Sequence, residues 1–219
     1  QVPGLTAWGT IHRHSGALDA AQKQAEDARR LALAGNLARE IGEASALVGL
    51  VAHMQGQWQS LFRAEFITWA RQKDPGAGSV FDGHLCLAEF CLCNARGHAE
   101  MARLAEELLA IAEDAGSTHG RALATLILGK AELFSGRLEA ADALLTRADE
   151  LHAQAEAPVG RALALHRIAE VALARGQKWR AGRLLQKGLS IAERTWLTPH
   201  LLIRYVALAV EAASAAEQR

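Results

Sequence analysis

Apolar residues recur at helical spacing along almost the whole chain, in segments that end at a glycine. Two segments show this most clearly, because they open with Gly120-Arg121-Ala122-Leu123-Ala124 and, 40 positions later, with Gly160-Arg161-Ala162-Leu163-Ala164. Apolar residues three and four positions apart lie on one face of an α-helix. Each segment therefore predicts a helix, and a second helical pattern follows the glycine that ends it.

The glycines that end the first helical segments recur every 39 to 41 residues, at Gly16, Gly56, Gly97, Gly136 and Gly176. A helix that reverses within two or three residues needs a residue that accepts the left-handed conformation, and glycine does so without a Cβ clash. Mostly small residues lie seven positions before these glycines (Gly9, Gly49, Phe90, Gly129, Ala169) and five positions after them (Ala21, Leu61, Ala102, Ala141, Ala181). We therefore predict five helical hairpins whose two helices approach closely.

A period of about 40 residues with two helices per unit predicts an all-α fold, a right-handed solenoid of about five antiparallel helix-turn-helix repeats in one domain, residues 1–219. The predicted units are 1–35, 37–73, 81–115, 120–155 and 160–194, and an amphipathic helix at 199–215 is predicted to cap the last unit. The segment Asp74–Ser79 predicts a loop, because Pro75 stops the preceding helix and glycines follow. We interpret it as a connector, with a hinge as the alternative.

The pattern of small residues around the turn glycine resembles the tetratricopeptide repeat, with a period near 40 in place of the usual 34. Units of this length are similar to the superhelical middle domain of MalT-like, LuxR-type and AfsR-type ATPase transcription regulators. Residues 180–185, 192–194 and 197–202 resemble that family as well. The resemblance implies a repeat domain that receives an inducer or a partner protein and passes that state to ATPase and DNA-binding modules.

Composition narrows the partners that the chain is expected to bind. The 219 residues include 24 basic and 24 acidic side chains. This neutral balance argues against direct nucleic-acid binding, which needs a basic surface to displace counterions. We see neither an apolar run long enough for a membrane span nor a leader pattern, so we expect a cytoplasmic protein without membrane contact. Because the first residue is Gln1, we also consider that the chain is a piece of a longer protein.

A metal site is the first chemical alternative, since Cys86, Cys91 and Cys93 lie near His84 and His98. Thiolate and imidazole ligands together suit zinc, but zinc sites usually gather two short ligand pairs across a loop. These cysteines lie along one predicted helix, so we interpret them as buried thiols of the core and predict neither a metal nor another cofactor.

No catalytic motif is present. The sequence has no G-x-S-x-G, no H-E-x-x-H and no phosphate-binding loop, since Gly129-Lys130 follows Ala124 at the position where that loop needs a glycine. We therefore predict that the chain is not an enzyme and that its function depends on a surface.

In tetratricopeptide-like repeats the first helix of each hairpin lines the concave groove. Residues one and four positions after the small residue should then face the groove, and the polar ones that we select are Arg13, His53, Asn94, Lys130 and Glu170. Apolar neighbours such as Leu50 would supply burial for a bound peptide or helix. The alternative is that some of these side chains pack against the next unit.

We therefore expect a protein–protein interaction or signal-sensing domain of a cytoplasmic transcription regulator, binding a partner peptide, a partner protein or a small-molecule inducer. The alternative is a free-standing adaptor with no attached module. Trp58 and Trp179 follow turn glycines. An exposed indole there would anchor a partner, although packing between units is the commoner use. Association of copies through the ends of the array is also consistent with the sequence.

Overall fold

The structure is a computed structural model that describes residues 1–72, 74, 76–93, 97–195, 202–203 and 205–210, apart from the side chains of residues 86 and 89–93. These residues form an all-α fold without a strand. Ten helices have both ends described: α1 Val2–His14, α2 Leu18–Ala34, α3 Ala38–Met54, α4 Trp58–Arg71, α5 Gly76–Cys93, α6 His98–Asp114, α7 Thr118–Phe134, α8 Leu138–Gln154, α9 Pro158–Ala174 and α10 Lys178–Ala192. Residues 202–203 and 205–210 are also helical.

The chain divides into two compact units. Unit 1 comprises residues 1–94 and 110–120, and unit 2 comprises residues 95–109 and 121–219. In unit 1, helices that follow one another pack together from α1 to α5, and α3 also packs on α1 and α5. In unit 2, α9 packs on both α8 and α10. This packing of successive helices is consistent with a helical repeat, as predicted, while the handedness and the number of repeats stay predictions.

The hairpin turns confirm the role predicted for the recurring glycines. Gly16, Gly56, Gly97, Gly136 and Gly176 all have positive φ angles, between 50° and 80°. At Gly16 the amide donates to the carbonyl of Arg13, and the next amide, of Ala17, donates to the carbonyl of His12. This pair of hydrogen bonds is the Schellman motif, which satisfies carbonyls that a helix end leaves free.

The links between hairpins use the same motif, which the sequence did not predict. Asn36, Gly116 and Glu156 have φ angles of 50°, 65° and 53°. The amide of Glu156 donates to Ala153, and the amide of Ala157 donates to His152. A residue with a Cβ is strained in this conformation, so Glu156 holds its turn at a cost that Gly116 avoids.

The predicted loop at Asp74–Ser79 is wrong, because α5 begins at Gly76 and continues through Ser79. Asp74 caps this helix, since its Oδ1 accepts a hydrogen bond of 2.7 Å from the Gly76 amide. The glycines serve close packing: a Cβ on Gly76 would lie 2.7 Å from Leu33, and one on Gly78 would lie 2.7 Å from the His119 ring. The connection between α4, which ends at Arg71, and α5, which begins at Gly76, is therefore shorter than predicted, and the hinge alternative stays untested.

Close contact with the paired helix is confirmed at Gly129, where a Cβ would lie 2.9 Å from Leu145 of α8. At Gly9 the tightest contact is instead with Leu47 of α3, at 2.8 Å, and at Gly49 the nearest atoms belong to His84 and Leu87 of α5, at 3.4 and 3.6 Å. Two predicted positions are wrong, however, because Leu61 and Ala102 are only half-buried while their neighbours Phe62 and Met101 are buried. For α6 the reason is the register, since Met101 and not Ala102 stands 40 residues before the buried Ala141.

The outer face of α1 is exposed at positions that are buried in the next hairpin. Trp8 is 57% exposed, and Ile11 is exposed as well. Forty residues later, Val48 and Val51 are buried in a core cluster with Ala21 and Ala25 of α2,. Corresponding positions therefore face solvent on α1, whereas on α3 they pack against the alanines of the preceding helix, α2.

Residues 202–210 follow α10, in the region that was predicted to be a capping helix. Tyr205 and Leu208 are buried there. The Tyr205 hydroxyl donates a hydrogen bond of 2.6 Å to the Ala162 carbonyl, and a Cβ on Gly188 would collide with this hydroxyl. Tyr205 therefore packs against α9 and α10. The predicted ends of the capping helix lie outside the described residues.

Replacing Glu156 by glycine should stabilise the protein by about 0.5–1 kcal/mol, because glycine has no Cβ to strain the left-handed turn. The matched control is Glu156→Ala, which keeps the Cβ and should give no such gain. Urea unfolding of the two variants measures the difference, and equal stabilities would contradict this account of the turn.

The contrast between α1 and α3 is tested by two truncations at the same register. Val48→Ala should lower the free energy of unfolding by about 2 kcal/mol because it removes buried methyl groups. Trp8→Ala removes a larger side chain but should change it by less than about 0.5 kcal/mol, because the indole is exposed. Thermal unfolding followed by circular dichroism compares them, and a larger loss for Trp8→Ala would show that the register is wrong.

Candidate interaction surface

The five predicted groove residues do not all belong to one unit. Arg13 lies on α1 and His53 on α3, both in unit 1, and both are half-buried. Lys130 lies on α7 and Glu170 on α9, both in unit 2. Asn94 lies outside the described residues. The predicted groove residues of unit 1 and those of unit 2 are therefore considered separately.

In unit 1, α1 packs against α3 with Gly9 placed on Leu47. From the 40-residue period we expect corresponding positions of the two helices to face the same side. We name as the α1–α3 wall the residues Thr10 and Arg13 of α1 together with Leu50, His53 and Met54 of α3. Leu50 is 38% exposed and Met54 is 50% exposed, so the α3 part of this wall offers two apolar side chains to solvent.

The polar groups of the wall are largely hydrogen-bond donors and rings. Helix α1 contains no acidic residue and ends with His12, Arg13 and His14. The Arg13 guanidinium lies 3.0 Å from Nε2 of His14. The hydroxyl of Thr10 donates to the Thr6 carbonyl within its own helix. The wall therefore combines two accessible aliphatic side chains with a basic edge, which suits an amphipathic segment that carries acidic groups.

In unit 2 the predicted groove residues lie in packed surroundings. Lys130 is 0% exposed, so the prediction that its ammonium group is accessible on a groove is wrong. The sequence position fixes the face of a helix but not whether another element covers that face. Glu170 is half-buried and accepts hydrogen bonds of 2.6 and 2.7 Å from Arg167, whose guanidinium lies 5.1 Å above the Phe134 ring.

His166, one turn before Glu170, is also part of this packing. Its Nδ1 lies 3.8 Å from the Glu170 carboxylate, and its buried ring meets the Tyr205 ring edge to face at 5.3 Å between centroids. The Tyr205 pKa is raised above its ordinary value, mainly by burial. His166 thus links α9 to the helical segment 205–210, and Glu170 has structural partners in Arg167 and His166 of its own helix.

A buried charge cluster in unit 1 was missed by the sequence analysis. Arg29 of α2, Glu65 of α4 and His84 of α5 meet in it. Glu65 accepts hydrogen bonds from Arg29 at 2.7 and 2.9 Å and from Nε2 of His84 at 2.7 Å. Only 12% of the Glu65 side chain and 1% of the His84 side chain are exposed. The signal available was the 36-residue separation of Arg29 and Glu65, which places them on second helices of successive hairpins.

The cluster controls the protonation of Glu65. Burial on its own would raise the pKa of Glu65, but the hydrogen bonds from His84 and Arg29 and their charges overcome that effect and lower it to about 2. The second nitrogen of His84, Nδ1, is buried and accepts or donates no hydrogen bond among the described residues. The arrangement links α2, α4 and α5. The hydrogen bond that His84 makes here is the one from its Nε2 to Glu65.

Two further titratable groups of the described residues, Asp82 and His119, have pKa values that are shifted by burial. Burial raises the pKa of Asp82 to about 8. Burial likewise lowers the pKa of His119. Among the described residues, no group of three or more His, Cys, Asp or Glu side chains is arranged to hold a metal ion. The cysteine side chains lie outside the described part, so the zinc alternative stays untested.

For the two tryptophans that follow turn glycines, the sequence left open whether the indole is exposed or packed, and the structure shows one of each. Trp58 is 2% exposed and stacks on Phe62 with centroids 5.0 Å apart, so it packs in the core. Trp179 is 77% exposed and is available to a partner. The described helices include none that is long and apolar enough to cross a membrane.

Comparison of the chain with protein-family models and with curated proteins finds no match. The resemblance to tetratricopeptide-like repeats of ATPase regulators therefore rests on the residues of this chain alone.

The charge cluster predicts acid sensitivity. Because the folded-state pKa of Glu65 lies below its ordinary value of 4.5, its contribution to stability is complete above about pH 5 and is lost as the pH falls through about 2. The lowered pKa corresponds to about 3 kcal/mol at neutral pH. Glu65→Gln should lower the free energy of unfolding at pH 7 by that order, and the gap to the wild type should narrow steadily from pH 5 to pH 2.

The control for this measurement is Glu43→Gln, which removes a surface i,i+4 pair with Arg39 and should cost less than about 0.5 kcal/mol. Urea unfolding at several pH values gives both series. A gap between Glu65→Gln and wild type that stays constant with pH would show that the carboxylate does not stabilise the fold through its charge.

Proposed function

We propose that this chain is a protein–protein interaction and signal-sensing helical-repeat domain of a cytoplasmic transcription regulator. It binds a partner peptide or effector on the α1–α3 wall and performs no catalysis itself. The observation that carries the proposal is the exposure of Leu50 and Met54 on α3, the helix that also carries His53 and that packs on α1 with its Arg13. Accessible aliphatic side chains next to oriented polar groups are the usual composition of a binding surface.

The wall suits an amphipathic helix or an extended segment as ligand. Two apolar side chains of the ligand cover Leu50 and Met54, and each buried side chain of this size contributes about 1.5–3 kcal/mol before the costs of association. An acidic group of the ligand pairs with Arg13 at the end of α1, where the helix carries no acid of its own. Charge pairing of this kind fixes the register and the orientation of a bound segment.

Signalling requires that the partner favours one conformation of the repeats over another. Binding across two helices from successive hairpins meets this condition, because a ligand that contacts both α1 and α3 is sensitive to the angle between them. The proposed regulator would use that difference to pass the bound state to its other modules. Sequencing of the full gene tests this part of the proposal: a phosphate-binding loop or a helix-turn-helix module on the same gene product would support it.

Peptides selected by phage display on the immobilised chain test the wall directly. Their affinity for the wild type and for the double variant Leu50→Glu, Met54→Glu is measured by fluorescence anisotropy. The double variant should bind at least about tenfold more weakly, because it places two charges where apolar contact is made. Ile203→Glu is the matched control, since Ile203 is an exposed aliphatic side chain of unit 2, and it should bind normally.

Peptides that bind the double variant as tightly as the wild type would exclude the wall as the binding surface. Circular dichroism of each variant separates this result from a loss of folding, which is not expected because both leucine and methionine side chains are exposed.

A further inference from the structure

A cleft of about 760 Å³ lies at the turn between α9 and α10 in unit 2. It is lined by residues 176–180 and by Arg183. Trp179 is 77% exposed, and the Arg183 guanidinium lies 5.1 Å from the centre of its indole ring. We name this surface the Trp179–Arg183 cleft. It lies on α10, in a different unit from the α1–α3 wall.

All charged residues of α10, the helix that contributes Trp179 and Arg183 to the cleft, are basic. Residues 178–192 contain Lys178, Arg180, Arg183 and Lys187 and no acidic residue. Two of these cations are neutralised by α8, since Arg180 pairs with Asp142 at 2.7 Å and Lys187 with Asp149 at 3.3 Å. Arg183 is exposed and has no carboxylate partner among the described residues; its contact is the indole.

The other arginines near this turn pair with carboxylates, which indicates the kind of group that Arg183 would bind. Arg175, just after α9, binds Glu139 at 2.5 Å and Asp142 at 3.1 Å, and Arg180 shares Asp142. Acidic side chains of α8 thus already pair with these two arginines. Arg183 presents the same kind of cation beside the exposed Trp179 ring, without an acidic partner among the described residues.

We propose that the Trp179–Arg183 cleft is a second docking site, which takes an acidic segment of a partner protein. A carboxylate of that segment pairs with Arg183, which offers a planar guanidinium fork. An adjacent apolar side chain of the segment covers the exposed indole, which is a large and rigid contact surface.

A nucleic-acid strand fits the surface less well, although arginine and tryptophan also bind bases and phosphates. Glu139, Asp142 and Glu150 lie together around a second cleft on α8, beside Arg175. A phosphate backbone that continued past the turn would meet these carboxylates. A short acidic segment of a protein places its charge locally and avoids them.

The test uses the full 219-residue chain carrying Leu50→Glu and Met54→Glu, which removes apolar contact at the α1–α3 wall, and a fluorescein-labelled peptide of alternating glutamate and leucine, with fluorescence anisotropy as the readout. Arg183→Glu and Trp179→Ala should each weaken binding by about tenfold or more. Arg183→Glu should also gain affinity for the matching lysine–leucine peptide, because the sign of the charge is reversed. Rising salt should weaken the binding of the wild type to the glutamate–leucine peptide.

Arg30→Glu and Trp8→Ala are the matched controls, since both side chains are exposed in unit 1, and both should bind the glutamate–leucine peptide normally. Equal binding of a glutamine–leucine peptide would overturn the proposal, as would unchanged binding by Arg183→Glu. Tighter binding of a labelled single-stranded oligonucleotide than of the peptide, lost in Arg183→Glu, would identify a nucleic-acid site instead.

Because the peptide assay is run with the α1–α3 wall already substituted, and the wall variants leave Trp179 and Arg183 unchanged, each site can fail without deciding the result for the other.

Discussion

The structure depends on how each helix ends. A helix leaves its last carbonyls without partners, and this chain must satisfy them while it reverses direction within three residues. The Schellman motif does both, but it requires one residue in the left-handed conformation at each turn. Eight of the described turns meet this requirement with glycine, asparagine or glutamate, whereas α4 is followed by Gln72 in the extended conformation. The helices that result have nearly equal lengths, so each can lie along its neighbour and bury a face that it could not bury alone.

Close contact between helices is the second constraint, and it explains where the sequence was informative and where it was not. Glycine in this chain has two uses, the left-handed turn and the close approach of a helix. At Gly16 and Gly136 the regular spacing revealed the first use. At Gly76 and Gly78 the same residue type serves the second, and local pattern alone predicted a loop there. The two uses differ only in what lies across the gap, which a sequence does not show.

The candidate site could be predicted in part for a related reason. The period of 40 placed Arg13 and His53 on corresponding faces of α1 and α3, and the apolar neighbour Leu50 is exposed as a groove residue should be. Lys130 occupies the corresponding place on α7 and is buried. Periodicity gives the direction in which a side chain points, whereas exposure depends on which elements cover that face. The cluster of Arg29, Glu65 and His84 escaped notice because its members come from three helices that are distant in sequence.

The turns at Gly16, Gly56, Gly136 and Gly176 and the links at Asn36, Gly116 and Glu156 have the same pair of hydrogen bonds, so at these joints the backbone carries no mark of where one repeat stops and the next starts. Only side-chain packing distinguishes the two joints. A duplication or deletion of the gene that cuts at either joint restores the same bend in the chain. An array of this kind can therefore change its length by whole hairpins during evolution without needing a new type of connection.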